Sequence, residues 1–240
     1  MTDDVVAAAF LLLLASACVL AAGAAGRRRA GAEGFRSGET DPLPYAVRLI
    51  PAVLTPDECD TLIASVSHRM TRSKVLGPDG DSESGDRTSS QAWVSVDDAD
   101  PKAGAIAAKL RLVSSTLTGI RRPDMIEEVM VARYEPGQKY NHHHDACVDP
   151  EKCGVNTVYR RATLLVYLNA DFEGGHTDFP RIPQTIKPER GWAVLFYDTD
   201  ADTGQVIEDS LHAGLPVTSG VKYIATVWSR FQPAAGGPKG

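Results

Sequence analysis

From Glu127 onward the chain repeats one pattern: short runs of β-branched, aliphatic and aromatic residues, each closed by turn formers. The runs are Val129 to Tyr134, Thr163 to Asn169, Trp192 to Tyr197 and Val221 to Trp228. Pro136-Gly137, Gly174-Gly175, Glu189-Arg190-Gly191 and Ser219-Gly220 lie between or beside them. Branched and aromatic side chains pack well on a pleated surface, and Gly and Pro punctuate it, so these runs read as strands. Helical signals come first and evenly spaced strands follow. That order predicts a mainly β fold, an antiparallel sandwich or jelly roll with helices packed on one face.

The helices have clear starts. In Thr55-Pro56-Asp57-Glu58, Thr55 can cap, Pro56 suits the first helical position and Glu58 completes a capping box. Cys59, Leu62, Ile63 and Val66 follow at helical spacing. A second helix is expected from Asp100-Pro101, with Ile106, Leu110, Val113 and Leu117 as its apolar stripe. Between the helices, residues 71 to 92 are expected to form a mobile lid, because Gly77 to Asp86 offers almost no apolar anchor.

The N-terminal part reads differently. Val5 to Gly26 gives 22 positions without a charge. As a helix this would extend about 30 Å, enough to cross a bilayer core. Residues 1–26 are therefore expected to be a transmembrane anchor or a signal segment. Asp3 and Asp4 stand where a signal peptide carries positive charge, which favours the anchor, while Ala21, Ala22 and Gly23 permit cleavage. Residues 27–43 read as a flexible linker, 44–232 as the folded domain and 233–240 as a disordered tail. The net charge of -6 argues against nucleic acid as a partner, because phosphate binding needs a concentrated basic surface. Of the four cysteines, Cys147 and Cys153 flank a short polar stretch and are either a disulfide or two free thiols.

Three of the six histidines are consecutive, His142, His143 and His144, and Asp145 follows. On a strand, residues two apart share a face, so His143 and Asp145 are expected to point together. One distal histidine would complete a 2-His-1-carboxylate set, the donor arrangement that suits Fe(II) with open positions. His212, in Ser210-Leu211-His212-Ala213-Gly214, is the best candidate. Ten residues later Lys222 interrupts an apolar strand. It either faces solvent on an alternating strand or meets the carboxylate of a bound dicarboxylic acid, since a buried lysine needs a partner.

Several motifs in order carry a family resemblance. Arg133-Tyr134-Glu135-Pro136-Gly137-Gln138-Lys139-Tyr140, leading into His143-His144-Asp145, resembles the metal-site strand of the prolyl 4-hydroxylases. Gly174-Gly175-His176-Thr177 with Phe179-Pro180 is similar to that family's Gly-Gly-x-Thr-x-Phe-Pro turn. Lys187 to Gly191 with Ala193 and Phe196, and His212 through Lys222 to Trp228, resemble its last strands; Arg87-Thr88-Ser89-Ser90 resembles its Arg-Thr-Ser loop. The resemblance spans roughly residues 44 to 232.

The resemblance implies a double-stranded β-helix, or jelly roll, with the N-terminal helices packed on it. It implies iron on His143, Asp145 and His212, with Lys222 pairing with the C5 carboxylate of 2-oxoglutarate and Tyr134 and Thr177 adding hydrogen bonds to that cosubstrate. Tyr140, Arg160, Trp228 and Arg87 would lie at the substrate mouth. The implied reaction is C4 hydroxylation of peptidyl proline, coupled to decarboxylation of 2-oxoglutarate to succinate and CO2, with O2 consumed and ascorbate as reductant. The implied partner is a Pro-rich peptide. Arg230 stands where several relatives have His, and the loop from Cys147 to Tyr159 departs from the plant and algal pattern, so the substrate is less constrained than the chemistry. Peptidyl lysine, a small molecule or a nucleic acid remain alternative substrates, and a non-catalytic jelly-roll binding module is the alternative from another class. The resemblance favours a single-pass protein of the endoplasmic reticulum membrane with a luminal domain, whereas Arg27 to Arg29 favour the cytosolic side.

Overall fold

The computed structural model describes residues 47–77, 80–146, 159–182 and 184–231. The expected anchor, linker and tail, and Cys147 and Cys153, lie outside the described residues.

Two α-helices, two 3-10 turns (Pro123–Met125 and Glu208–Ser210) and fifteen strands make up the described domain: β1 (Arg48–Ile50), α1 (Pro56–Val66), β2 (Thr71–Arg72), β3 (Val75–Gly77), β4 (Gly80–Ser82), β5 (Ser90–Val94), α2 (Pro101–Thr118), β6 (Val129–Tyr134), β7 (Tyr140–His143), β8 (Tyr159–Tyr167), β9 (Phe172–Gly174), β10 (Thr177–Phe179), β11 (Gln184–Ile186), β12 (Ala193–Tyr197), β13 (His212–Gly214), β14 (Val217–Gly220) and β15 (Lys222–Phe231). A seven-stranded sheet runs β1-β12-β8-β15-β6-β5-β2. Opposite it are the four-stranded sheet β11-β10-β13-β7 and the pair β14-β9. All named pairings are antiparallel, and the arrangement is the expected jelly roll.

Strand alternation divides the large sheet between two cores. Val129 and Val131 of β6, Leu164 and Val166 of β8, Leu195 of β12, and Ala225 and Val227 of β15 pack with α1 and α2. Their neighbours Met130, Ala132 and Tyr134, Leu165 and Tyr167, Val194 and Phe196, and Ile224 and Trp228 point the other way, into the barrel. Both faces are buried, which is why these strands read as near-continuous apolar runs instead of alternating ones.

The helices begin where their caps predict. Thr55 Oγ1 accepts from the Glu58 amide at 3.3 Å, and Glu58 Oε2 accepts from the Thr55 amide at 2.7 Å. Asp100 Oδ1 accepts from the Lys102 amide at 2.9 Å. The inward stripe of α2 is Ala103, Ile106, Ala107, Leu110 and Ser114; Val113 and Leu117 flank it half-buried. Ser114 fits the core because its hydroxyl meets Ser229 Oγ at 2.7 Å.

The lid expectation is corrected for its second half. Ser90–Val94 forms β5, hydrogen-bonded between β2 and β6. Just before it the backbone is tied to the start of β7: Asn141 N donates to Asp86 O at 2.7 Å, and Thr88 N to Lys139 O at 2.9 Å. Backbone pairing thus anchors a segment that lacks apolar anchors.

Candidate active site

His143 and His212 come from two strands of the smaller sheet and are cross-strand partners there. Their ring centroids lie 4.3 Å apart. Each ring is fixed from behind by its own chain: His143 Nδ1 is 2.7 Å from Asn141 O, and His212 Nδ1 is 2.9 Å from Ser210 O. A carbonyl oxygen only accepts, so each Nδ1 carries the proton and each Nε2 keeps a lone pair facing forward. That is the tautomer a metal ligand needs, with the orienting hydrogen bond in place.

Asp145 closes the group. Its Oδ1 is 3.5 Å from His143 Nε2, and its Oδ2 is 3.9 Å from His212 Nε2. One ligand atom from each of the three residues lies within 4.8 Å of the others. The strand argument needs one correction. β7 ends at His143, so Asp145 is in the bend beyond it and shares no strand face with His143. Hydrogen bonds hold the carboxylate instead: Trp228 Nε1 donates to Oδ2 at 2.9 Å, and Thr163 Oγ1 lies 2.8 Å from the same oxygen. His142 and His144 turn elsewhere, toward Asp178 Oδ2 at 3.1 Å and Ser210 Oγ at 3.2 Å.

Electrostatics fit metal binding. Burial, and then the His143 imidazole, pull His212 down to about 4, so it is neutral at ordinary pH. Burial alone would raise Asp145, but His212, His143 and Arg160 hold it well below the usual carboxylate range. The trio offers two imidazoles and one carboxylate, the donor chemistry that fits Fe(II).

Lys222 faces the barrel interior, so its solvent-facing reading is excluded. It is 2% exposed and pairs in register with Tyr134 of β6. Its Nζ donates to Gly175 O at 2.6 Å and lies 5.3 Å and 5.0 Å from the ring centroids of Tyr134 and Tyr167. Burial pulls it down to about 7, and no carboxylate offsets that among the described residues. A buried lysine without a counter-ion is costly, and a bound anion removes the cost. Thr177 is buried nearby on β10, its Oγ1 2.5 Å from the Tyr167 hydroxyl, so it is already engaged.

The expected mouth residues gather on the metal-site side. Tyr140 stacks on His143 with centroids 3.4 Å apart, and burial followed by the charge of Asp145 pushes its phenol up to about 12. The Arg87 guanidinium is 5.0 Å from the Tyr140 ring. The Arg160 guanidinium lies 3.8 Å from the Trp228 ring centroid and is held by both oxygens of Glu127, at 2.8 Å and 3.0 Å. Arg230 shares Glu127 at 2.6 Å. Glu127, Tyr167, Thr163 and Asp198 were not foreseen from sequence. For Thr163 and Tyr167 a signal existed, because they share parity with Leu165 on β8 and must face the interior.

Comparison with known proteins agrees with this geometry. Residues 129–230 match the model of the 2OG-Fe(II) oxygenase superfamily. The chain is 34% identical over 221 residues to prolyl 4-hydroxylase 1 of Arabidopsis thaliana, covering 83% of this chain and 75% of that one. It is 36% identical over 203 residues to prolyl 4-hydroxylase 2 of the same plant, covering 73% and 64%. Among solved structures it is similar to the 2-oxoglutarate complex of a viral collagen prolyl hydroxylase from Paramecium bursaria Chlorella virus-1, with 34% identity, a TM-score of 0.61, and 77% of this chain and 96% of that one covered. The chain belongs to the prolyl 4-hydroxylase family of Fe(II)- and 2-oxoglutarate-dependent dioxygenases.

Proposed function

We propose that this protein hydroxylates peptidyl proline at C4, with His143, Asp145 and His212 holding Fe(II). The observation that carries the reading is the buried ammonium of Lys222, which has no counter-ion among the described residues, in a barrel that also presents two imidazoles and a carboxylate. A dicarboxylic cosubstrate accounts for both features. Lys222 would bind the C5 carboxylate of 2-oxoglutarate, with Tyr134 and Thr177 beside it.

Bound Fe(II) supplies the O2 chemistry that oxidises an unactivated C–H bond while 2-oxoglutarate becomes succinate and CO2. The chain's own residues do the rest. The carbonyls of Asn141 and Ser210 hold the two imidazoles in the ligating tautomer. Trp228 and Thr163 orient Asp145. Phe179 and Phe196 wall His212 at centroid distances of 5.7 Å and 4.7 Å and keep water from that side. Ascorbate would re-reduce iron after uncoupled turnover.

Tyr140, Trp228, Arg160 and Arg87 would form the peptide mouth. A Pro-rich peptide in the polyproline II form arrives with little entropy left to lose and suits a groove of aromatic faces. Incubation with poly-proline, collagen-like and lysine-containing peptides, followed by mass spectrometry, tests the substrate. Addition of one oxygen on proline supports the reading, and addition on lysine alone assigns the lysyl branch.

The uncharged stretch Val5 to Gly26 is proposed as a single-pass anchor, with the domain on the luminal side of the endoplasmic reticulum. The family resemblance favours the lumen, and Arg27 to Arg29 argue for the opposite orientation. Protease protection in sealed microsomes separates the two.

A further inference from the structure

Behind the metal-site carboxylate, one hydroxyl serves two acids. Thr163 Oγ1 lies 2.8 Å from Asp145 Oδ2 and 2.8 Å from Asp198 Oδ2. Thr163 and Asp198 are fully buried. A threonine hydroxyl has one proton, so it can donate to one of these oxygens only. The second contact is a hydrogen bond only if the other carboxyl brings its own proton. If both acids were ionised, two like charges would flank one buried oxygen and one contact would be repulsive.

The surroundings decide which acid is neutral. Asp145 faces two Nε2 atoms and accepts from Trp228. Asp198 has no such set: its second oxygen, Oδ1, is buried without a hydrogen-bond partner among the described residues. A carbonyl-like oxygen tolerates that better than a carboxylate oxygen does. The nearby arginines are engaged elsewhere, Arg160 by Glu127 and Arg161 by the Thr199 carbonyl and the Tyr197 ring. Burial first, and then the charge of Asp145, push the Asp198 carboxyl well above its ordinary range.

We propose that Asp198 is a positioning residue for the metal site: its neutral carboxyl donates to Thr163 Oγ1, so that Thr163 donates its own proton to Asp145 Oδ2. With Trp228, this places two donors on Oδ2 and leaves Oδ1 as the ligating oxygen of a one-point carboxylate. The inference rests on the reading of Asp145 as a metal ligand. The Asp198 proton itself does not need the metal.

Two measurements on the full chain test it. Infrared difference spectra of wild type minus Asp198→Asn, recorded at neutral pH both metal-free and with Mn(II), should contain the C=O stretch of a protonated carboxylic acid. Mn(II) affinity should fall about 10–100-fold in Asp198→Val, the usual loss when a partner that orients a metal ligand is removed. Asp198→Asn keeps a donor at the same place and should stay within about threefold of wild type, since orientation and not charge sets the affinity. Thr163→Val combined with Asp198→Val should be no weaker than either alone, because both act through one chain of hydrogen bonds. Absence of the band overturns the proposal, as does wild-type Mn(II) affinity in a folded Asp198→Val protein, or equal losses in Asp198→Asn and Asp198→Val. If the band is present but wild type binds no Mn(II), the metal reading fails and takes the positioning role with it, while the Asp198 proton stands.

Discussion

His143 and His212 stand directly opposite each other in the ladder between β7 and β13, the one from the expected metal-site motif and the other from a strand far along the chain. The pairing explains why a site built from distant segments can be rigid. The backbone register fixes the separation of the rings, and one carbonyl behind each ring fixes its tautomer. Side-chain placement of this kind rests on main-chain hydrogen bonds, not on loop conformation.

The two neighbouring histidines should therefore behave differently on substitution. His143→Ala is expected to weaken Mn(II) or Fe(II) binding by two orders of magnitude or more, because a three-ligand site loses a ligand. His144→Ala should stay within a few-fold of wild type, since its Nδ1 is turned to Ser210. Metal titration by calorimetry distinguishes them, and the reverse ranking would shift the ligand assignment by one residue.

Lys222 carries both a binding and a pH expectation. Lys222→Ala should raise the 2-oxoglutarate KM about 100-fold or more, from roughly 3–5 kcal/mol for a buried carboxylate left unpaired, while changing the peptide KM little. In the free protein this lysine titrates near 7, against an ordinary value of 10.5. The folded state therefore binds fewer protons than the unfolded chain between those values, and the contribution of Lys222 to stability rises with pH across that window. Below it the penalty is complete, so Lys222→Met should melt higher than wild type at pH 6 without cosubstrate. Cosubstrate binding needs the ammonium, so above pH 7 the Mn(II)-loaded protein should take up a proton on binding 2-oxoglutarate, and below pH 6 none. Calorimetry in buffers of different ionisation enthalpy reads this directly; no uptake at pH 8 would place the carboxylate elsewhere.

Glu127 holds Arg160 and Arg230 at once. Glu127→Gln removes the charge that fixes both guanidiniums over the mouth. The peptide KM should rise several-fold while the 2-oxoglutarate KM stays put. Arg160→Lys should do the same, because a lysine cannot reproduce the two-point contact or stack on Trp228. Steady-state kinetics with each substrate varied in turn separates this from general damage to the site.

Gly191 is the tightest backbone approach to the helical layer. Its φ is 78°, and an added Cβ would lie 2.1 Å from Leu54 O. Gly191→Ala should cost about 2–4 kcal/mol, combining left-handed strain with a backbone clash. Gly119 has φ 75° with open space around it, so Gly119→Ala should cost only about 1 kcal/mol. Urea unfolding of the two variants isolates the clash.

The longest elements were legible in the chain because their signals are local. Thr55 and Asp100 mark the helix starts, and β6 spans Val129–Tyr134 as the run of branched residues indicates. β5 was hidden, because Ser90–Val94 is held by neighbours at β2 and β6 and not by its own composition. The candidate site was legible at His143, Asp145 and His212, where a His-x-Asp pair and one distal histidine stood beside the family resemblance, and the structure brings the three together. It was illegible where the role depends on which face a polar residue takes. Thr163 and Asp198 look like ordinary polar residues until β8 and the end of β12 are set side by side, where Asp198, just past β12, meets Thr163, and Thr163 meets Asp145. Lys222 could not be assigned to solvent or interior until its register with Tyr134 was known.

The most direct measurement is the ratio of succinate to 4-hydroxyproline formed from a Pro-rich peptide with Fe(II), ascorbate and 18O2. The expected result is one succinate per hydroxyproline, with one labelled oxygen atom in each product and neither product formed by His143→Ala. Metal-loaded protein that binds 2-oxoglutarate yet releases no more succinate with proline peptides than without them, and leaves proline unmodified, would contradict the account.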